Sequence, residues 1–451
     1  MKQIFKKNET YACGWLFLIV VAVLCLLSDS TIAQVKNYNV WLLNSGDLID
    51  FNSGEAVVGK AVDDKLNLNY DILSLSDDEG NVALFGSATI KDDDGNTVWN
   101  PKGLVYGYFG VRDPSLPDSY YIMCSMNDGL HDCGRFFCLN RIYKDNSGRF
   151  VTTEITRQCG QGGLAGFVDG MYVVFVASDV SSGILSVFVV HDGNIDCVNT
   201  IDAMERLSST KFSCMRFNAD FTRLYAKTDN GLCVYDFDFE ARTLGECHLV
   251  DFDKLKAFDF SENGEYIYFL QGTRGNYTIS RCLEADILSS TNIEIVATLI
   301  NKWGNYSTDV ADLQLAPDGN IYIGIYRWDK LSYITETDGE CVFHEDEIEL
   351  SNPFGGRFPK MPRYQSSFKI SKCSPDVAPE YRGYPYDGIS WDFGDGTPVV
   401  KDGHPVHHYG QPGKYTVTMT VVFKNGIEKE VKKNVYVMKS TSPRIIIEED
   451  F

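Results

Sequence analysis

From Val35 to about Ser371 apolar and polar residues alternate in short runs broken by Gly, Asn and Asp, with almost no three-to-four-residue periodicity. Period-two alternation places one side of a strand in a core and the other toward water, so this pattern predicts short β-strands joined by tight turns. The pattern also repeats. Phe217-Asn218-Ala219-Asp220 precedes Leu224-Tyr225, Phe260-Ser261-Glu262-Asn263-Gly264 precedes Tyr266-Ile267-Tyr268, and Leu315-Ala316-Pro317-Asp318-Gly319 precedes Ile321-Tyr322-Ile323. Each copy is a strand, a polar turn and a returning aromatic strand. Looser copies run through Leu75 to Phe85 and Gly170 to Phe175.

The copies are offset by 43 residues from Phe217 to Phe260 and by 55 from Phe260 to Leu315. Those offsets lie in or just above the range of a four-stranded propeller blade, and at roughly 45 to 50 residues per blade the body holds seven blades, with six as the alternative. The abundant Tyr and Phe suit a ring in which each blade buries both faces against its neighbours. A ring must close. The expectation is that Asn39 to Leu43 completes the blade formed by the last strands before Phe368.

A second pattern occupies Ile389 to Val421. Trp391 and Phe393 alternate with polar neighbours, and Asp392, Gly394, Asp395, Gly396 and Thr397 supply a turn in which glycine takes positive φ and aspartate bonds nearby amides. Gln411, Pro412 and Gly413 form another turn, followed by Tyr415, Val417, Met419 and Val421 on one face of a strand. The run W-D-F-G-D-G-T, followed by H-x-Y-x-x-P-G-x-Y-x-V-x-x-T-V, resembles the PKD domain. His407, Tyr409, Pro412, Gly413, Tyr415 and Val417 match that pattern residue by residue. The resemblance implies an immunoglobulin-like β-sandwich that spaces and presents other domains. Pro375, Pro379 and Pro385 make its first strands short or displaced.

The fold class expected is therefore all-β, and four segments follow: a signal peptide at 1–33, a β-propeller at 34–373, a PKD sandwich at 374–439 and a tail at 440–451. Lys2, Lys6 and Lys7, the apolar run Trp15 to Leu27 and the small residues ending at Ala33 read as a cleaved secretory signal. A lipoprotein anchored at Cys25 is disfavoured because Leu24 stands where that processing needs a small residue. No stable transmembrane segment is expected after cleavage, so the chain is read as extracytoplasmic: periplasmic, surface-held or secreted.

Beyond residue 33 the chain carries 38 basic and 60 acidic residues, a net charge of −22. Such a surface repels nucleic acid and anionic headgroups. Eleven cysteines also lie beyond that point, an odd number for a compartment in which disulfides persist. At least one thiol is then free or intermolecular. Among Cys124, Cys133 and Cys138, the pair Cys133 and Cys138 is the expected local bridge, and no second Cys/His pair supports zinc.

A wider resemblance covers the body. Val40-Trp41 with Asp50-Phe51-Asn52-Ser53-Gly54 looks like the opening of the propeller-plus-PKD surface proteins, gliding-motility-associated, of type IX secreting bacteria. Asp94 to Asn100, Tyr120-Tyr121-Ile122, Val234 to Asp238, Leu313 to Tyr322 and Met361 to Phe368 match the same proteins in the same order. Asn44, Asp47 and Leu48 depart from the opening, where those proteins have Gly, Ala and Gly. The chain also stops at Phe451, where the resemblance implies a further sorting domain.

Candidate chemistry is sparse. Lys91 to Trp99 nearly resembles an Asp box, but Lys91 replaces serine and Trp99 is one residue late, so a hairpin turn is expected. Asp92, Asp94 and Asn96 alternate as calcium ligands do, yet Thr97 and Gly103 stand where an EF-hand loop needs glycine and glutamate. Asp77, Asp78 and Glu79 make another acidic turn. His404, His407 and His408 look like a metal cluster, but His407 belongs to the PKD strand entry. No G-x-S-x-G, H-E-x-x-H or Walker loop occurs, and Gly160 to Gly163 precedes a strand, with no helix to bind phosphate. The sequence thus nominates no catalytic residue, metal site or cofactor. The function expected is a non-enzymatic binding or structural protein whose propeller face meets a glycan or an envelope protein, with the PKD module as spacer. Tyr106, Tyr108, Trp303, Tyr306 and Trp328 are candidates to stack on sugar rings, against a place in the blade core. The alternative is a glycosidase or lyase using carboxylates of the central channel.

Overall fold

The structure is a computed structural model that describes residues 39–437 apart from internal stretches, the longest being 61–71, 203–213 and 301–309. The signal and tail segments, and Trp303 and Tyr306, lie outside the described residues. A three-stranded antiparallel sheet, Val40–Leu42, Asp47–Asp50 and Val57–Lys60, comes first, and six four-stranded sheets follow in chain order as far as Glu349. The second to fourth sheets start at Leu73–Ser76, Leu104–Arg112 and Leu164–Asp169. The fifth to seventh start at Cys214–Phe217, Leu255–Phe260 and Ala311–Leu315. Every sheet is an up-and-down meander, and the first strands of successive sheets neighbour one another in order. That is the arrangement of a β-propeller: each sheet is too small to be stable alone, and it buries its faces against the sheets on either side. The first strands are almost wholly buried. The fourth strands, such as Glu340–Glu349, alternate between exposed and half-buried.

The ring closes differently from the sequence expectation. Val40–Leu42 does not join the last sheet; it pairs with Asp47–Asp50, the register running Val40 to Asp50 and Leu42 to Leu48. A hairpin through Asn44, Ser45 and Gly46 closes locally and leaves no long-range strand exchange to form. Closure instead comes from the chain that leaves the seventh sheet. Asp47, buried, accepts the amides of Ser351 at 3.0 Å and Asn352 at 3.3 Å, and the Asn352 side chain reaches Ser45 O at 3.1 Å. Beneath this clasp the Trp41 ring meets Phe51, Tyr322 and Phe358 with centroids 5.1, 5.8 and 5.2 Å away. One apolar cluster therefore spans the first sheet, the seventh sheet and the segment after it.

The C-terminal module contains the three-stranded sheet Gly388–Asp392, Gly413–Val422 and Glu428–Val437, with two short pairs beside it. Its strands begin before residue 374: Ser367–Lys369 pairs with Glu380–Arg382, and Phe368 meets Trp391 edge-on at 5.1 Å. Val417, Met419, Val421 and Val435 complete that core.

The bridge expected between Cys133 and Cys138 does not form. Cys138 is a free, buried thiol, directly opposite Cys124 in the third sheet, whereas Cys133 lies outside the described residues. The position of Cys138 inside the strand Phe136–Lys144 sets its side chain on the face shared with Cys124. Cys159 is disulfide-bonded.

Candidate functional site

The repeat seen in the sequence carries a polar position. Arg216, Asp259 and Gln314 each precede the apolar residue of the repeat, and each is paired across the sheet with a tyrosine, Tyr225, Tyr268 and Tyr322 respectively. All three are buried on first strands, where an unpartnered charge would be untenable, and they satisfy one another. Arg216 Nε lies 3.5 Å from Asp259 Oδ2, and Arg216 Nη2 donates to Gln314 Oε1 at 3.2 Å. Asp259 also accepts the Leu315 amide at 3.0 Å, which ties the sixth sheet to the seventh. Burial works against the Arg216 charge, yet the neighbouring carboxylates of Asp259 and Asp312 hold the guanidinium firmly protonated.

The opposing tyrosines form a second layer. Tyr225 donates to Glu284 and Tyr268 to Glu336, in each case a carboxylate from the next repeat, while Tyr322 donates to Asp318 at 2.7 Å within its own turn. Arg281 braces the middle member, reaching Glu294 at 2.9 Å and Gly339 O at 2.8 Å. Burial and then the Glu284 carboxylate raise the phenol pKa of Tyr225 well above its usual value, so it serves only as a donor.

The segment from Ser351 to Lys360 lies along these first strands. Phe354 exchanges backbone bonds with Trp328 and Arg327, both 2.8 Å, and its ring occupies the space beside Gly324. Phe358 N donates to Asp312 Oδ2 at 3.0 Å, and Gln314 Nε2 donates to Pro359 O at 2.7 Å. Burial pushes the Asp312 carboxyl above the usual range, with Arg357, the Phe358 amide, Arg216 and Lys360 pulling the other way. Asp259 and Asp312 are thus two buried carboxylates on first strands. Both are engaged by backbone amides and lie beside Arg216.

In the C-terminal module the motif residues form a packed turn. Trp391 is fully buried and its indole N–H donates to Asp402 O at 2.9 Å. Asp392 accepts the Gly394 amide at 2.9 Å, and Asp395 accepts the Thr397 amide at 3.1 Å and its hydroxyl at 2.6 Å. Gly394 has φ +71°, and a Cβ there would stand 2.4 Å from Thr416 O; Gly396 has φ +84° but faces open space. His407 stacks on Phe393 at 4.1 Å with Nε2 2.9 Å from Asp395 Oδ2. Tyr409 donates to Phe393 O at 2.9 Å and stacks on Tyr415 at 4.2 Å, while Pro412 and Gly413 form the exposed turn between them. Burial opposes ionisation of Asp395, but Thr397 and His407 outweigh it and lower its pKa. His408 turns to a different carboxylate, Asp376, at 2.7 Å, and the amide of exposed His404 bonds Asp402. The three histidines therefore do not converge.

The loop candidates separate. Tyr108 is core, its hydroxyl on Ser87 O. Trp328 is half-buried and donates to Asp346 at 3.1 Å. Tyr106 is exposed, with the Arg135 guanidinium 5.9 Å from its ring centroid. The acidic turn at Asp92 to Asn96 is a hairpin in which Asp92 accepts the Asn96 amide at 2.7 Å. Among the described residues no group of three or more His, Cys, Asp and Glu is placed to hold a metal ion. Arg216, Asp312 and Gln314 were not singled out from the sequence as site residues, and Asp47 was noted only as a departure from the opening motif. Aligning the residue before Phe217, Phe260 and Leu315 exposes the first and third as members of one repeat position.

The PKD domain family model matches residues 386–438, and the C-terminal module is a PKD domain. Comparison with curated proteins gives no match. Among solved structures, the PKD1 domain of the Vibrio cholerae metalloprotease PrtV is 22% identical, covering 16% of this chain and 93% of that one, with TM-score 0.15. The Dos1 propeller is 9% identical over 77% of this chain and 90% of its own, with TM-score 0.42. The periplasmic gluconolactonase PpgL of Pseudomonas aeruginosa is 14% identical over 82% and 96%, with TM-score 0.39.

Proposed function

We propose that this chain is a non-enzymatic, extracytoplasmic binding or structural protein. Its seven sheets are the blades of one ring, its ligand is a glycan or an envelope protein met by loops of a propeller face, and the PKD module is the spacer. The observation that carries the reading is the use made of the buried carboxylates on the first strands. Asp259 and Asp312 accept the Leu315 and Phe358 amides and lie beside Arg216, so both are occupied in holding strands together. A PKD domain at the C-terminal end supports an extracellular setting. Among the described residues no helix is long and apolar enough to cross a membrane. The collinear likeness to surface proteins of type IX secreting bacteria supports a place at the cell envelope. Tyr106 with Arg135 is an exposed aromatic–cation pair available to a sugar ring.

The test is a glycan-array screen of the full chain and of Tyr106→Ala, together with an assay for new reducing ends on the same polysaccharides. Binding weakened in Tyr106→Ala without cleavage supports the reading. Cleavage lost in an Asp312→Asn variant that melts like the parent would replace it with a polysaccharide-active enzyme.

A further inference from the structure

Cys124 and Cys138 sit directly opposite each other on neighbouring strands of the third sheet, Ser119–Asn127 and Phe136–Lys144, and both are buried free thiols. Opposed residues of an antiparallel pair share a face and have Cα atoms about 4.5 to 5.5 Å apart. A disulfide needs about 4.4 to 6.8 Å, so the backbone already satisfies the bond. The sulfurs have polar company: Cys138 Sγ is 3.3 Å from Glu154 Oε2 and 3.3 Å from Asn140 Nδ2, and Cys124 Sγ is 3.7 Å from Met126 Sδ. Each thiol is also the other's hydrogen-bond neighbour. A second pair, Cys233 and Cys247, also has its thiols in hydrogen-bond contact, and differs in register. There Cys233 is opposite Leu249 and Cys247 opposite Tyr235, a diagonal relation in which Cα atoms are about 7 to 8 Å apart, beyond disulfide reach without backbone movement.

We propose that Cys124 and Cys138 form a cross-strand disulfide in an oxidising compartment, and that Cys233 and Cys247 remain thiols. That Cys159 is disulfide-bonded shows that the same sheet carries oxidised sulfur. The oxidant is a disulfide, either of a small thiol or of a thiol–disulfide oxidoreductase. The Cys124 thiolate attacks one sulfur of that disulfide and releases the first thiol. The Cys138 thiolate then attacks the Cys124 sulfur of the mixed disulfide and releases the second. The two protein thiol protons end on the two thiols released, and the oxidant gains the two electrons. Because both side chains are buried in the folded sheet, the exchange precedes closure of the third sheet on its neighbours.

The expectation that such a bond forms in the cell rests on the extracytoplasmic reading, and the experiment separates the two. Full-length protein is refolded in a reduced and oxidised glutathione mixture, alkylated and digested with trypsin, and protein isolated from its native compartment is treated in parallel. Cleavage after Arg112, Arg135 and Arg141 puts Cys124 in the fragment 113–135 and Cys138 in the fragment 136–141. The proposal predicts that these fragments are linked in the refolded protein, with fragment-ion sequencing placing the link at Cys124, and that Cys233 and Cys247 are alkylated. Cys124→Ser abolishes the link, and the oxidised parent melts at a higher temperature than the reduced one. A link placed at Cys133, or alkylation of both Cys124 and Cys138 at every glutathione ratio, overturns the pairing. Linked refolded protein beside unlinked native protein upholds the pairing and sinks the extracytoplasmic reading instead.

Discussion

The two parts of the chain use buried polar residues over opposite distances. In the PKD module the partners are near in sequence: Asp395 and His407 are 12 residues apart, and Tyr409 and Phe393 are 16 apart. In the ring they are far: Arg216 and Gln314 are separated by 98 residues, and Ser351 and Asp47 by 304. Short-range polar bonds fix the shape of a turn, and the module needs little else to set its register. Long-range ones join repeats that do not touch in sequence, and no single sheet of the ring is organised without its neighbours. In both places side chains that look chemically active, a histidine beside an aspartate or two buried carboxylates, are tied into hydrogen bonds.

The sharpest way to break this comparison is at Arg216. Replacing it with alanine leaves Asp259 buried beside a vanished charge, and removal of one partner from a buried ion pair costs about 3–5 kcal/mol. Denaturant unfolding followed by a ring tyrosine signal should show that loss, and a loss under about 1 kcal/mol would mean that the polar layer does not bind the repeats together. The module gives the next largest effect. Gly394→Ala combines a left-handed backbone with a Cβ 2.4 Å from Thr416 O, so a loss of about 2–4 kcal/mol is expected. Gly396→Ala meets open space and should cost about 1 kcal/mol. Equal losses at the two glycines would remove the steric reason given for the motif.

At the seam, Asp47→Ala strips the acceptor from the Ser351 and Asn352 amides, with an expected loss of about 1–3 kcal/mol. Thermal unfolding that leaves the ring unchanged in Asp47→Ala would show that the apolar cluster around Trp41 closes it unaided. The smallest effect is on pH. The folded pKa of Asp395 is lowered, so its contribution to stability is fully present above the unfolded carboxylate value, about 3.9, and is lost as pH falls through the folded value below it. Acid titration of melting temperature should show a shallower low-pH decline in Asp395→Asn than in the parent. Identical profiles would leave His407 and Thr397 without an electrostatic role.

The same contrast explains what could be read in the sequence. The PKD turn was legible residue by residue because its bonds close within a short stretch, and Gly394, Asp395, His407 and Tyr409 announce their partners by spacing. The propeller was legible as a repeat because Phe217, Phe260 and Leu315 recur with their turns. Its inner polar layer was not, since nothing local distinguishes Arg216 or Gln314 from an exposed strand residue. Closure was misjudged for a related reason: the Asn44–Gly46 turn is an ordinary hairpin, and the acceptor that matters, Asp47, finds its donors some three hundred residues later. The cysteines misled in the same way. Cys133 and Cys138 are close in sequence, but strand register sets Cys138 against Cys124.

The clasp at Asp47 also has a mechanical consequence. The chain leaves the seventh sheet, reaches the first through Ser351 and Asn352, returns to the seventh through Phe354, Phe358 and Pro359, and then runs on toward the PKD module. Tension applied to the module therefore meets the bonds of Pro359 and Phe358 to Gln314 and Asp312 first, and reaches the seam at Asp47 only after them. The bonds at Asp47 act in parallel with the aromatic packing around Trp41, like a latch backed by an adhesive joint. A molecule pulled by its module would first peel the segment from Pro359 back to Phe354 off the seventh sheet, and only then part at Asp47, opening the ring into a curved row of blades.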